Sequence, residues 1–161
     1  MREHGSILTN QELHMTNVLA FRKTASPADL QGEMERIQRF IRDGNFIKTG
    51  HTATVTYSVE QTGNGRMVDF ELLIPLDKPF VPLEGWVCKP VFRLVNAVSV
   101  RHVGNPANLA EAHNKLSAYI QEHNLQAITP VYNVTVQEAQ TQSEADRMVV
   151  DVYMGVSPNI L

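Results

Sequence analysis

The chain has 161 residues, 43% of them hydrophobic and 19% charged, and carries a formal net charge of −3. That is the composition of a soluble globular protein, and it lacks the basic footprint of a nucleic-acid binder. Cys88 is the single cysteine, which excludes an intrachain disulfide, and no apolar run reaches the length of a membrane span.

Residues 1–15 are mixed and polar, without the apolar run of a secretion signal, and read as a lead-in too short for a DNA-binding domain. A strand is predicted from about Val18 to Lys23. The helix after it has clear punctuation: Ser26 suits the N-cap, Pro27 the first helical position, and Asp29 the positive first turn. Leu30, Met34, Ile37 and Ile41, with Phe40 beside them, form its apolar stripe, and Gly44-Asn45 suits its end. Two alternating segments follow. Ala53, Val55, Tyr57 and Val59 alternate with polar residues, and Val68, Phe70, Leu72 and Ile74 alternate with Asp69, Glu71 and Leu73. Asn64-Gly65 marks the hairpin between them. Residues 78–94 then form a connector punctuated by Pro79, Pro82 and Pro90, which reads as extended and draped over the surface.

From Asn96 the pattern starts again. Asn17–Phe46 lies over Asn96–Leu125 without a gap, at an offset of 79 residues. The identities are Asn17/Asn96, Arg22/Arg101, Pro27/Pro106, Ala28/Ala107, Leu30/Leu109, Ile41/Ile120 and Asn45/Asn124. Asn105 takes the N-cap place and Pro106 the first helical position, with Leu109, His113, Leu116 and Ile120 as the stripe. Two strands close the repeat, one at 130–137 and one at 148–156, and Glu71–Leu76 matches Asp151–Val156 at an offset of 80. The chain is an internal duplication.

Strand–helix–strand–strand, written twice, predicts an α+β fold: an antiparallel sheet with two helices on one face and a cleft between the units. The boundaries are repeat one at 16–77, connector at 78–94 and repeat two at 95–158, all within one domain at 16–161. Strand parity puts Phe70, Leu72 and Ile74, like Val150, Val152 and Met154, against a helix. Asp69, Glu71, Asp151 and Tyr153 then line the opposite face or the seam between the units.

Short motifs in this order resemble the GyrI-like family, which shares its fold with the effector-binding domains of AraC- and MerR-type regulators. His102-Val103-Gly104-Asn105-Pro106 resembles the family's turn before a helix, and Leu109–Ile120 the helix itself. Thr129-Pro130-Val131-Tyr132 is similar to its strand start, and Asp151–Val156 to its closing strand, which Glu71–Leu76 matches better. Asp151 stands where the family has Glu, Gly155 where it has Pro, and Asn105 where Pro is common. The resemblance covers residues 16–158 and implies a stand-alone member of the family, not a transcription factor. It implies a cleft lined by aromatics and one acid that receives lipophilic, often cationic molecules. In some stand-alone members it implies hydrolysis of cyclopropane-bearing genotoxins, and in others modulation of a topoisomerase.

Glu71 is the sharpest candidate. A carboxylate facing a partly apolar surface needs a cation or hydrogen-bond donors, which suits a cationic ligand or proton transfer. The plainer alternative is an acid on an open sheet face, paired with Lys or Arg. Trp86, Tyr57, Tyr132 and Tyr153 are the candidate ligand-lining aromatics, with Asp151 as a second acid. For Tyr57 and Tyr132 ordinary packing is the simpler role. Tyr153 is the candidate hydrogen-bond donor beside a catalytic Glu71. The six histidines show no metal spacing, and no cofactor motif is present. The expected partner is a lipophilic small molecule, with no nucleic acid and no membrane, and the expected location is cytoplasmic. A non-catalytic binding module and a protein-interaction partner of a topoisomerase stand as alternatives to an enzyme.

Overall fold

In a computed structural model describing residues 3–63, 65–137 and 146–157, strand and helix follow the predicted order twice. The elements are β1 (Ile7–Ala25), α1 (Pro27–Asp43), β2 (Ala53–Thr62), β3 (Gly65–Pro75), β4 (Trp86–Val103), α2 (Leu109–Glu122), β5 (Ala127–Gln137) and β6 (Val149–Val156). The chain forms two compact units: residues 15–92, and residues 1–14 with 93–161. They are called here the first-repeat and second-repeat units. Asn64 and most of the polar 137–147 loop lie outside the described residues.

Two strands are longer than the sequence suggests. β1 begins at Ile7, inside the segment read as a lead-in, and β4 begins at Trp86, inside the segment read as a draped connector. Mixed polarity hid the first of these. In the second, Pro90 sits at an exposed position of the strand, where proline is tolerated.

In the first-repeat unit β3 is central. β1 pairs with it antiparallel over Val18–Ala25, and β2 pairs with its other side. Leu72 and Ile74 from β3, with Leu19 and Phe21 from β1, meet Leu30 and Ile37 of α1 in one apolar core. Phe40 and Ile41 pack at its margin, while Met34 from the predicted stripe is exposed. The second-repeat unit repeats the plan, with β6 between β4 and β5. Val98, Val100, Val150 and Val152 meet Ala112, Leu116 and Ile120 of α2. His113 is half-buried and hydrogen-bonds Asn133 Oδ1 at 2.9 Å.

The caps explain several of the identities. Ser26 Oγ accepts from the Asp29 amide at 3.3 Å, and Pro27 opens α1. In the second repeat Asn105 Oδ1 accepts from the Ala107 amide at 2.9 Å at the head of a short 3-10 turn over Pro106–Asn108. Helix α2 itself starts at Leu109 with Asn108 at its N-cap and no side-chain cap, so Asn105 and Pro106 do not take the expected cap and first helical positions. Both helices end in the same motif. The Phe46 amide donates to the Ile41 carbonyl and the Leu125 amide to the Ile120 carbonyl, each about 2.9 Å long. This needs one left-handed residue, supplied by Asn45 and Asn124, both at φ 54°. Gly44 itself lies at φ −86°. Asn17 and Asn96 are the other matched left-handed pair, at φ 50° and 52°.

Candidate functional site

The face of β3 turned away from α1 carries Asp69, Glu71 and Leu73, because side chains alternate along a strand. Leu73 is fully buried, as are Ala53 and Val55 opposite it and Glu71 in the register. Glu71 is therefore a carboxylate set among apolar neighbours, with only 13% of its side chain exposed. Its cross-strand partners are Arg22 on β1 and Val55 on β2.

Arg22 does not pair with Glu71. Its guanidinium reaches two residues along β3 and grips Asp69 with both nitrogens, at 3.1 and 3.0 Å. It also lies over the Tyr57 ring, 3.6 Å from the centroid, a cation–π contact. Those two hydrogen bonds pull the Asp69 carboxyl below its ordinary range and push the Arg22 guanidinium higher still.

Tyr57 owes its position to a bulge. The β2–β3 register skips between Thr56 and Ser58, leaving Tyr57 as the extra residue. Bulges re-aim side chains, and here the Tyr57 hydroxyl donates to Glu71 Oε1 at 2.7 Å. Lys89 Nζ on β4 stands 3.7 Å from Glu71 Oε2. Glu71 is thus held by one short hydrogen bond and one loose ion pair.

The second-repeat unit carries the same framework with other side chains. Val134 lies opposite Asp151, and the register skips again between Thr135 and Gln137, which places Val136 where Tyr57 stands. Val149 occupies the place of Asp69. With no rival acid, Arg101 pairs straight across with Asp151 at 2.7 and 2.8 Å. The pair is buried, with side chains 18% and 7% exposed, and the two hydrogen bonds raise the guanidinium's pKa. Tyr132 lies opposite Tyr153 on the neighbouring register step.

No protein-family model matches the sequence, and no curated protein matches it either. Solved structures do match in three dimensions. EcmrR in its DNA complex superposes with a TM-score of 0.74 at 12% identity, covering 96% of this chain and 57% of EcmrR. The separate EcmrR C-terminal domain gives 0.70 at 14% identity, covering 98% of this chain and 99% of that domain. A hydrolase from Listeria innocua gives 0.59 at 10% identity, covering 96% and 92%. The fold is shared with the EcmrR C-terminal domain. This chain spans just over half the length of EcmrR.

On that fold the candidate residues divide. Tyr57 and Glu71 come together in the first-repeat unit, and Tyr57 is a hydrogen-bond donor at 36% exposure, not the packed residue its valine parity suggested. Trp86 is in the same unit but was misplaced by the reading that made it ligand-lining. It is 5% exposed, buried in the α1 core and edge-on to Phe40 at 5.1 Å. Asp151, Tyr132 and Tyr153 lie in the second-repeat unit, with Asp151 committed to Arg101. Arg22, Asp69 and Lys89 were missed as site residues. The Arg22/Arg101 identity was the available signal.

His102 is buried in the turn before α2, with its Nε2 at 3.0 Å from the Asn105 carbonyl. Among the described residues no three His, Cys, Asp or Glu gather as a metal site, and no helix is long and apolar enough to cross a membrane.

Proposed function

We propose that this chain binds lipophilic planar cations, with Glu71 as the recognising acid and the Tyr57 ring as a flat wall. The observation that supports it most is the diversion of Arg22 to Asp69, which leaves an enclosed carboxylate held by a tyrosine hydroxyl and a lysine 3.7 Å away. An ammonium or iminium group on a ligand can replace Lys89 at that oxygen at little cost. An acid among apolar side chains favours a cation that brings few waters of its own. Tyr153 and Tyr132 are proposed as ligand-contacting residues of the second-repeat unit, where Asp151 is taken up by Arg101, and Trp86 supports the fold instead. The negative net charge and lone Cys88 fit a cytoplasmic protein whose partner is a small molecule and not a nucleic acid.

The test is a titration with N-methylacridinium against neutral acridine at slightly alkaline pH. The cation should bind about tenfold more tightly than its neutral isostere, about 1.4 kcal/mol. Glu71→Gln should erase the preference. Equal binding of both dyes by the natural sequence would overturn the reading.

A second reading adds turnover at the same residue. Glu71 takes a proton from water, the hydroxide oxygen bonds to a ring carbon of a carbonyl-conjugated cyclopropane, and the strained C–C bond breaks. Its electron pair moves onto the carbonyl oxygen, and the proton held by Glu71 is returned to the α-carbon as the enolate becomes the ring-opened ketone. Ring-opened product formed by the natural sequence and lost in Glu71→Gln, with dye binding by other contacts retained, supports this reading.

A further inference from the structure

We propose that the second-repeat unit holds a separate site for small aromatic molecules of one or two rings, in a hollow of about 500 Å³ between α2 and its strands. Val98, Leu125 and Val156 supply apolar lining, with Tyr119 and His123 on the helix side and Thr9 on the strand side. The volume lies within the usual small-molecule range of roughly 300–1,000 Å³.

What belongs in that hollow is shown by the other repeat. The matching place in the first-repeat unit is filled by four aromatic rings. Phe40 stacks on Phe46 at 5.3 Å and meets Phe80 and Trp86 edge-on at 5.8 and 5.1 Å. At the 79-residue offset Tyr119 replaces Phe40, Leu125 replaces Phe46 and Ile7 replaces Trp86, while Phe80 matches Asn159, outside the described residues. A phenyl and an indole have thus been exchanged for two smaller aliphatic side chains. Among the described residues a hollow of about 500 Å³ lies at that place.

The helix end adds a second difference. Gly44 leaves room for the Phe46 ring, since a Cβ there would lie 2.4 Å from that ring. The matching residue is His123, whose imidazole stacks on Tyr119 with centroids 3.9 Å apart. Its Nδ1 lies 3.0 Å from the Tyr119 carbonyl. A carbonyl only accepts, so Nδ1 carries the proton and a neutral ring keeps its lone pair on Nε2. The ligand class is therefore a flat apolar ring bearing an N–H or O–H, such as an indole or a phenol.

The probe is indole, followed by NMR shifts of the Leu125 methyls and the Tyr119 and His123 rings. Saturable shifts at these groups are expected, with Kd about 1 mM or tighter. The double replacement His123→Gly with Leu125→Phe installs the first repeat's ring in the hollow, and should weaken indole at least tenfold while Tm holds or rises. If that variant does not fold, Thr9→Trp supplies the block from the strand side. Glu71→Gln should leave indole binding unchanged, which separates this site from the acid site of the other unit. Shifts confined to other residues, undiminished binding in the filled variant, or loss of indole binding in Glu71→Gln would each overturn the proposal.

Discussion

Arg22 and Arg101 stand at one position of a duplicated frame, opposite Glu71 and Asp151 respectively, and they behave differently. Arg101 closes straight across onto its carboxylate and the pair is buried. Arg22 turns aside to Asp69 and rests on Tyr57, and that pair is wetter, with side chains 51% and 22% exposed. Two substitutions account for the divergence. Asp69 in place of Val149 supplies a competing acceptor, and Tyr57 in place of Val136 supplies both a ring for the guanidinium and a hydroxyl for the abandoned acid. The second repeat spends its acid on structure, whereas the first leaves its acid open to other partners.

The largest predicted effect lies in stability. Asp151→Ala leaves a mostly buried guanidinium without its partner and should cost about 3 kcal/mol in urea unfolding. Asp69→Ala breaks a wetter, solvent-screened pair and should cost much less than Asp151→Ala in the same measurement. Equal losses would abolish the contrast between the halves.

Where the repeats agree, they should respond alike. Asn45→Ala and Asn124→Ala each keep a Cβ at positive φ but lose the polar side chain whose local hydrogen bonding lets asparagine tolerate it, and should cost about 1 kcal/mol, while glycine at either place is close to neutral. A large difference between the two asparagines would show that the helix ends are not equivalent.

The smallest effect is in acid. The folded-state pKa of Asp69 is depressed by the Arg22 hydrogen bonds, so its contribution is present above the unfolded value of 3.8 and is lost as pH falls through the folded value. Acid unfolding of Asp69→Asn should therefore begin to converge with that of the natural sequence below about pH 3.8. The two should differ most near neutrality.

Much of this architecture was legible because it was written twice. The apolar positions Leu30, Ile37, Leu116 and Ile120, the Ser26 cap and the left-handed Asn45 and Asn124 all follow from local rules that the second copy repeats. The duplicated Arg22/Arg101 and the acid pair could also be read. The destination of each arginine could not. It depends on a diagonal contact two residues along a neighbouring strand and on a one-residue bulge, and alternation alone reveals neither. The bulge also explains Tyr57, which parity grouped with the valines. Trp86 was hard to place for a different reason: proline density made its surroundings look like loop, while the Phe40 ring that it meets edge-on comes from a separate part of the chain.

The account turns on Asp69 keeping Arg22 away from Glu71, and one substitution addresses that directly. Asp69→Val copies the second repeat into the first and leaves Glu71 untouched. Titrated with N-methylacridinium, this variant should bind at least tenfold more weakly than the natural sequence, because Arg22 swings across to neutralise Glu71 as Arg101 does Asp151. Unchanged affinity in a folded Asp69→Val protein would contradict the account.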